Sequence, residues 1–176
     1  MNTEREIDSK YLVCVESVEN ILVSFGITKA TKNYDRWVSE QGCLLSDFSD
    51  VLYESKFVFI FDWRGEIKED IKPVIKALNN LKVDIKVYEV EDNENMLKLE
   101  CGNDSCTIEY TPNNENTSWN KVINNISKIV PPHIIFKQDY WNGGSDTEVY
   151  AVLHENEWKY IYELEPKVMN YLFKEL

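Results

Sequence analysis

The fold is decided by the stretch Phe57-Val58-Phe59-Ile60-Phe61-Asp62-Trp63-Arg64-Gly65. Its first five residues are all aromatic or β-branched, a composition that is typical of a strand covered on both faces. Residues 62–65 then predict a turn, residues 66–80 an amphipathic helix, and residues 83–90 a strand with alternating apolar side chains. The order strand, helix, strand predicts one right-handed βαβ unit.

On the N-terminal side of this unit, apolar residues spaced by three and four predict a helix over residues 8–25, which Gly26 ends. Residues 27–43 show no periodic pattern, so we expect an irregular segment that Trp37 anchors. A short helix is predicted at residues 46–54.

On the C-terminal side, turn residues separate several short elements. In chain order, the pattern predicts a hairpin of 96–101 with 106–111, a helix at 117–129, a strand at 134–136, a hairpin turn at 142–144 leading to a strand at 149–153, a further turn at 155–156 leading to a strand at 158–162, and a closing helix from Pro166 to Leu176. We therefore predict a single α+β domain over residues 1–176, with helices flanking a mixed, largely antiparallel sheet of about five to seven strands.

The charge balance restricts the class of partner. The chain has 31 Asp and Glu residues against 19 Lys and Arg, which gives a formal net charge of −12. Such a charge repels nucleic acid and anionic membranes and attracts cationic proteins. The polar N-terminus and the absence of an apolar run of ~20 residues favour a cytoplasmic protein without a membrane span. The four cysteines are expected to be reduced thiols.

Signals for chemistry are weak, and no cofactor or metal is expected. The two histidines, His133 and His154, could act as an acid–base pair, but nothing in their spacing brings them together. Cys101 and Cys106 are predicted to face each other across a hairpin, as half of a zinc site or, more simply, as two thiols. Asp62 lies at the end of a strand, where enzymes often place an acid, although capping of a helix is the simpler role.

One further pattern is a stripe of lysines on one face of the predicted helix at 66–80. It consists of Lys68, Lys72 and Lys76, which are spaced by four residues. They could bind a phosphate group. A solvated face that pairs with Glu69 and neighbouring acids is the better interpretation.

Two segments combine acids with aromatic residues and give the strongest signal. Residues 84–115 hold nine acids against two lysines, and residues 139–165 hold seven acids against one lysine. Tyr and Trp dominate protein interfaces, and nearby carboxylates steer basic partners. The partner-binding residues predicted from these segments are Glu89, Glu91, Asp92, Glu94, Asp139, Tyr140, Trp141, Asp146 and Glu148. The alternative is an ordinary acidic surface whose aromatic residues fold back into the core.

In its size, acidity and content of Trp and Tyr, the chain resembles the immunity proteins of contact-dependent growth inhibition systems. This resemblance implies that the partner is the C-terminal domain of a toxin, commonly a basic nuclease, bound by a monomer in a 1:1 heterodimer. It also implies inhibition without catalysis, in which carboxylates replace substrate phosphates and aromatic side chains fill the cleft. Two alternatives stay open: an acid-based, possibly metal-dependent enzyme centred near Asp62, and a protein-interaction module unrelated to toxins.

Overall fold

The computed structural model describes residues 7–140 and 146–176. The predicted α+β class is confirmed, because helices alternate with antiparallel sheets throughout these ranges. The helices are α1 (Val15–Ser24), α2 (Tyr34–Trp37), α3 (Leu45–Leu52), α4 (Ile67–Asn80), α5 (Trp119–Ser127), α6 (Glu155–Leu164) and α7 (Pro166–Leu172). The strands are β1 (Leu12–Cys14), β2 (Gly42–Leu44), β3 (Val58–Asp62), β4 (Lys86–Val90), β5 (Asn93–Cys101), β6 (Asp104–Glu109), β7 (Ile134–Asp139), β8 (Thr147–His154) and β9 (Phe173–Lys174).

The largest sheet among the described residues has the strand order β3-β8-β7-β9, and every pairing in it is antiparallel. The predicted right-handed βαβ unit is wrong. Strand β3 pairs with β8, about ninety residues later in the chain, whereas β4 pairs with its neighbour β5 in another sheet. A short turn between β4 and β5 closes a local hairpin, and local closure costs less entropy than a crossover back to β3.

Strand β3 is buried on one face rather than on both. Phe57, Phe59 and Phe61 point into the core, while Ile60 is 45% exposed. The stretch of five apolar residues therefore follows the ordinary period of two along a strand, with Ile60 as an apolar residue on the outer face.

The second sheet has the order β4-β5-β6 and includes the predicted hairpin. Its turn contains Gly102 with a φ of 61°, a left-handed conformation that suits glycine. Leu97, Leu99 and Ile108 are buried on the face of this sheet against which α4 and α5 pack. The two helices lie close to their predicted positions because their apolar residues recur at helical spacing.

The predicted helix over residues 8–25 begins later than expected. Residues Leu12–Cys14 form β1, which pairs with β2 in a small antiparallel sheet, and the helix occupies Val15–Ser24. The pairing with β2 uses a segment that the sequence predicts to be irregular. Gly26, with a φ of 71°, follows the helix end as predicted.

Near the C-terminus, residues 158–162 form part of α6, so the predicted strand there is wrong. Trp158 and Ile161 are buried and three residues apart, which is the spacing of one helical face. The closing helix starts at Pro166 as predicted but ends at Leu172, after which β9 pairs with β7.

Candidate functional site

The first acidic segment surrounds the turn between β4 and β5. Glu89, Glu91, Asp92 and Glu94 all line one open pocket of about 690 Å³, which we call the turn pocket. Asp92 has a φ of 60°, so it occupies the left-handed corner of this two-residue turn. Lys68 also lines the turn pocket, and its Nζ lies 3.1 Å from Glu89 Oε2. The other three predicted carboxylates have no ion pair among the described residues.

The second acidic segment contributes to a different pocket of about 410 Å³, which we call the aromatic pocket. Its lining includes Asp146 and Glu148 together with the rings of Phe61, Trp63, Tyr110 and Trp119. The Tyr150 hydroxyl donates a hydrogen bond to Glu148 Oε2 and thereby orients that carboxylate from the core side.

The other predicted residues of this segment lie differently. Asp139 is only 3% exposed in β7, which differs from the surface position that the prediction assumes. In the sheet, Asp139 pairs with Phe173 of β9. Tyr140 is exposed, and Lys174 Nζ lies 5.3 Å from the centroid of its ring. Trp141 lies outside the described residues.

A series of hydrogen bonds connects the two pockets. The Tyr110 backbone N–H donates to Asn95 O at 3.0 Å, and the Tyr110 hydroxyl donates to Trp63 O at 2.7 Å. The Trp63 backbone N–H in turn donates to Asp146 O at 3.1 Å. Asn95 lines the turn pocket, while Trp63, Tyr110 and Asp146 line the aromatic pocket. The two pockets are therefore neighbours, and we refer to them together as the acidic face.

Negative charge accumulates around the aromatic pocket. Burial raises the pKa of the Tyr110 hydroxyl, the charge of Glu148 raises it further, and a contact with the Trp119 indole lowers it in part. Burial also raises the pKa of Asp70, with an added contribution from the charge of Asp62. The charges of Glu148 and Asp62 thus add to the effect of burial, because a negative charge opposes the ionisation of a nearby acid.

Asp62, the centre of the enzyme alternative, is engaged in an ion pair. Arg64 Nε donates to Asp62 Oδ1 at 2.9 Å, and Arg64 Nη2 lies 2.8 Å from Asp62 Oδ2. Hydrogen bonds from the Arg64 side chain and backbone lower the pKa of Asp62 to about 2. A carboxylate held so far below its ordinary pKa is a weak base at neutral pH.

The two histidines, which the sequence offers as a possible acid–base pair, lie close together. His133 and His154 are brought together, with parallel rings 5.5 Å apart, because Ile134 pairs with His154 in the sheet. The expectation that they stay apart is wrong, although neither lines a pocket of the acidic face.

Cys101 and Cys106 do not face each other: the register places Asp104 opposite Cys101 and Leu99 opposite Cys106. All four cysteines are free. Lys72 pairs with Glu69 at 2.7 Å and Lys68 with Glu89, which confirms the solvated interpretation of that lysine stripe.

Sequence reasoning missed Trp63, Tyr110 and Trp119 as residues of the site. Trp119 lies on the apolar stripe of its helix, so its pattern indicates a core residue, and it is indeed 2% exposed. The available signal was the run of turn residues from Thr111 to Ser118, which places aromatic residues at both ends of one loop.

Within residues 7–140 and 146–176, no group of three or more His, Cys, Asp or Glu side chains is arranged to hold a metal ion. No helix in the same ranges has the length and apolar character needed to cross a bilayer. No protein-family model, curated protein sequence or solved structure matches the chain.

Proposed function

We propose that this chain is a cytoplasmic immunity protein, which binds the cationic nuclease domain of a toxin and occludes its active site. The observation that carries the proposal is the hydrogen-bonded connection through Tyr110 and Trp63, which makes neighbours of two acidic segments that are distant in sequence. A nuclease active site is built to attract phosphates, so an array of carboxylates is complementary to it.

The chemistry of the acidic face suits inhibition by occlusion. Glu91, Asp92 and Glu94 are presented on a tight turn whose backbone is fixed by the pairing of β4 with β5. A backbone that is already fixed loses little conformational entropy on binding, and the carboxylates raise the association rate of a cationic partner. The exposed ring of Trp63, which lines the aromatic pocket, adds apolar contact area to the acidic face.

The proposal is tested by affinity capture from the native lysate, followed by titration of the purified partner. We expect one basic protein with nuclease activity, which the immunity protein inhibits at a 1:1 ratio. Its affinity should fall steeply as the salt concentration rises from about 0.05 to 0.5 M, since screening weakens interactions between exposed charges.

A matched pair of variants locates the binding surface. Glu91→Lys with Asp146→Lys should weaken binding by at least about a hundredfold, because the two reversals convert attraction into repulsion. Glu157→Lys with Glu163→Lys on α6 is the control, since α6 begins at the opposite end of β8 from Asp146. Equal loss in both variants would indicate a general charge effect, and no loss in the first would refute the proposed surface.

A further inference from the structure

We infer that the aromatic pocket receives the guanidinium group of one arginine side chain from the partner. The identity of the partner rests on the proposed function, but the pocket itself is a property of this chain and can be tested alone. The inference starts from the contrast between the two pockets: the turn pocket contains its own cation, Lys68, whereas the part of the aromatic pocket that the structure describes is lined by no lysine, arginine or histidine.

The walls of the aromatic pocket are fixed before any ligand arrives. The Trp119 indole stacks on Phe61 with ring centroids 3.9 Å apart, and on Tyr110 with centroids 4.4 Å apart. The Tyr110 hydroxyl is held by its hydrogen bond to Trp63 O. A ligand therefore meets a preorganised cavity, which reduces the entropic cost of binding.

Among the described residues, no ion pair joins Asp146 or Glu148 to a cation, although the charge of Asp146 helps to raise the pKa of the nearby Arg64. Glu148 is held in place by the Tyr150 hydroxyl, and Asp146 is exposed at the rim. The nearest arginine, Arg64, already forms a two-point ion pair with Asp62. Burial raises the pKa values of Tyr110 and Asp70, and the negative charges of Glu148 and Asp62 respectively add to these shifts. An entering cation would relieve this repulsion.

An unpartnered donor makes the ligand more specific. Trp119 Nε1 is buried and makes no hydrogen bond of standard geometry among the described residues, although its side chain lines the pocket and a weaker contact with the Tyr110 hydroxyl lowers the pKa of that group. Burial of an N–H group without an acceptor is unfavourable. An arginine within a polypeptide supplies a cation together with main-chain carbonyl acceptors, so it can satisfy the carboxylates and this indole N–H at once.

The exposed Trp63 ring favours a guanidinium over an ammonium group. Trp63 is 43% exposed and lines the pocket, and the guanidinium carbon of its neighbour Arg64 already lies 5.9 Å from the centroid of the ring. A guanidinium group is planar, so it can stack on an indole while it donates two parallel hydrogen bonds to one carboxylate. The lysine ammonium is a compact, strongly hydrated charge that offers neither geometry.

The test uses the free protein and a small probe, Nα-acetyl-L-argininamide, with the uncharged isostere Nα-acetyl-L-citrullinamide as its control. Binding is followed by NMR through the indole N–H signals of the tryptophans. The arginine probe should shift the signals of Trp63 and Trp119 in a saturable manner and leave that of Trp37 unchanged. The citrulline probe should bind at least about tenfold more weakly, since it lacks the charge.

Two variants assign the binding to this pocket. Glu148→Gln keeps an acceptor for the Tyr150 hydroxyl but removes the charge, and Asp146→Asn removes the charge at the rim. Each should weaken arginine binding by about tenfold, whereas Asp92→Asn in the turn pocket should leave it unchanged. Equal shifts with both probes, or binding that survives both pocket variants, would overturn the inference.

The two proposals can fail separately. If a nuclease partner is captured but the arginine probe does not bind, the assignment of the aromatic pocket fails and the immunity function stands. If the probe binds but no cationic partner exists, the pocket assignment stands and the proposed function fails.

Discussion

Trp119 stacks on Phe61 with their ring centroids 3.9 Å apart and their planes 7° from parallel. Phe61 belongs to β3 in the four-stranded sheet, and Trp119 belongs to α5, which packs on the three-stranded sheet. Tyr110, directly after β6, stacks on the same indole. One buried indole thus joins the two sheets and also forms part of the wall of the aromatic pocket.

The first prediction concerns this indole. Trp119→Ala should lower the free energy of unfolding by about 3–5 kcal/mol, because it leaves a large cavity between the sheets. Denaturant unfolding followed by circular dichroism measures the change. The control is Trp63→Ala, an exposed residue of the same pocket, which should cost less than about 1 kcal/mol. Equal losses in the two variants would contradict the joining role of Trp119.

The second prediction concerns Asp70, whose Oδ2 is buried and lacks a hydrogen-bond partner among the described residues. Burial and the charges of Asp62, Glu69 and Glu66 raise its pKa in the folded state. Asp70 therefore binds a proton more readily in the folded protein than in the unfolded chain. At neutral pH the ionised Asp70 lowers the free energy of unfolding, and this destabilisation disappears as the pH falls below the pKa of Asp70 in the unfolded chain.

Asp70→Asn should accordingly stabilise the protein at about pH 7, and the gain should shrink towards about pH 3.5. Thermal unfolding across this range measures the difference. Asp70 lies in the first turn of α4, where a negative charge is favoured, but the upward pKa shift shows that burial and repulsion prevail. Glu69→Gln is the control: Glu69 pairs with Lys72, so this variant should give no gain. A gain that is independent of pH would argue against the ionisation of Asp70 as its source.

The parts of the fold that local patterns predict are those in which apolar spacing is unambiguous. Helix α4, helix α5 and the β5–β6 hairpin all lie close to their predicted positions. Residues 12–14 and 158–162 were assigned to the wrong class because short apolar runs fit both periods. The pairing of β3 with β8 could not be predicted, since it depends on contacts between segments about ninety residues apart.

The candidate site, too, could be predicted only in part from the sequence. Its carboxylates at 89–94 and 146–148 follow from the distribution of charge along the sequence. The walls of the aromatic pocket could not be predicted in this way. Tyr110 and Trp119 have the pattern of core residues, and they become part of a pocket only where the two sheets meet. For Asp139 the error is the reverse: the sequence predicts a surface residue, but the side chain is buried although its neighbour Tyr140 is exposed.

The third prediction concerns the end of α4. Lys82 has a φ of 64°, and the Val83 backbone N–H donates to Leu78 O across the helix end. Lysine here occupies the left-handed position that glycine favours. Lys82→Gly should therefore raise the free energy of unfolding by about 1 kcal/mol. Lys76→Gly, in the interior of the same helix, is the control and should lower it by a similar amount. A loss of stability in Lys82→Gly would show that the strain at this position is compensated by the side chain.

The fourth prediction ranks the thiols. Cys14 is exposed, and hydrogen bonds with the Ser17 side chain and backbone lower its pKa. Burial raises the pKa of Cys43 to about 12, and it also raises the pKa values of Cys101 and Cys106. Since the thiolate is the reactive form, iodoacetamide should modify Cys14 first, as mass spectrometry of the native protein can measure. Faster labelling of Cys106 than of Cys14 would contradict the ranking.

The last prediction concerns Lys137, which is buried in β7 while its Nζ pairs with Glu175. The same Nζ lies 5.5 Å from the ring centroid of Trp158 and 4.9 Å from that of Tyr162. Glu175→Gln should lower the free energy of unfolding by about 1–2 kcal/mol, because it leaves the Lys137 ammonium group without its counter-charge. The loss stays moderate because the two aromatic rings, and solvent near the exposed Glu175, still stabilise the ammonium group. Lys137→Met replaces the charge by an apolar chain of similar length, so its effect should stay within about 1 kcal/mol. Denaturant unfolding of both variants and of the double variant gives the coupling between the two residues. If Lys137→Met lowers the free energy of unfolding more than Glu175→Gln does, the ion pair and the aromatic contacts together stabilise the protein. Their contribution would then exceed the free energy needed to desolvate the ammonium group.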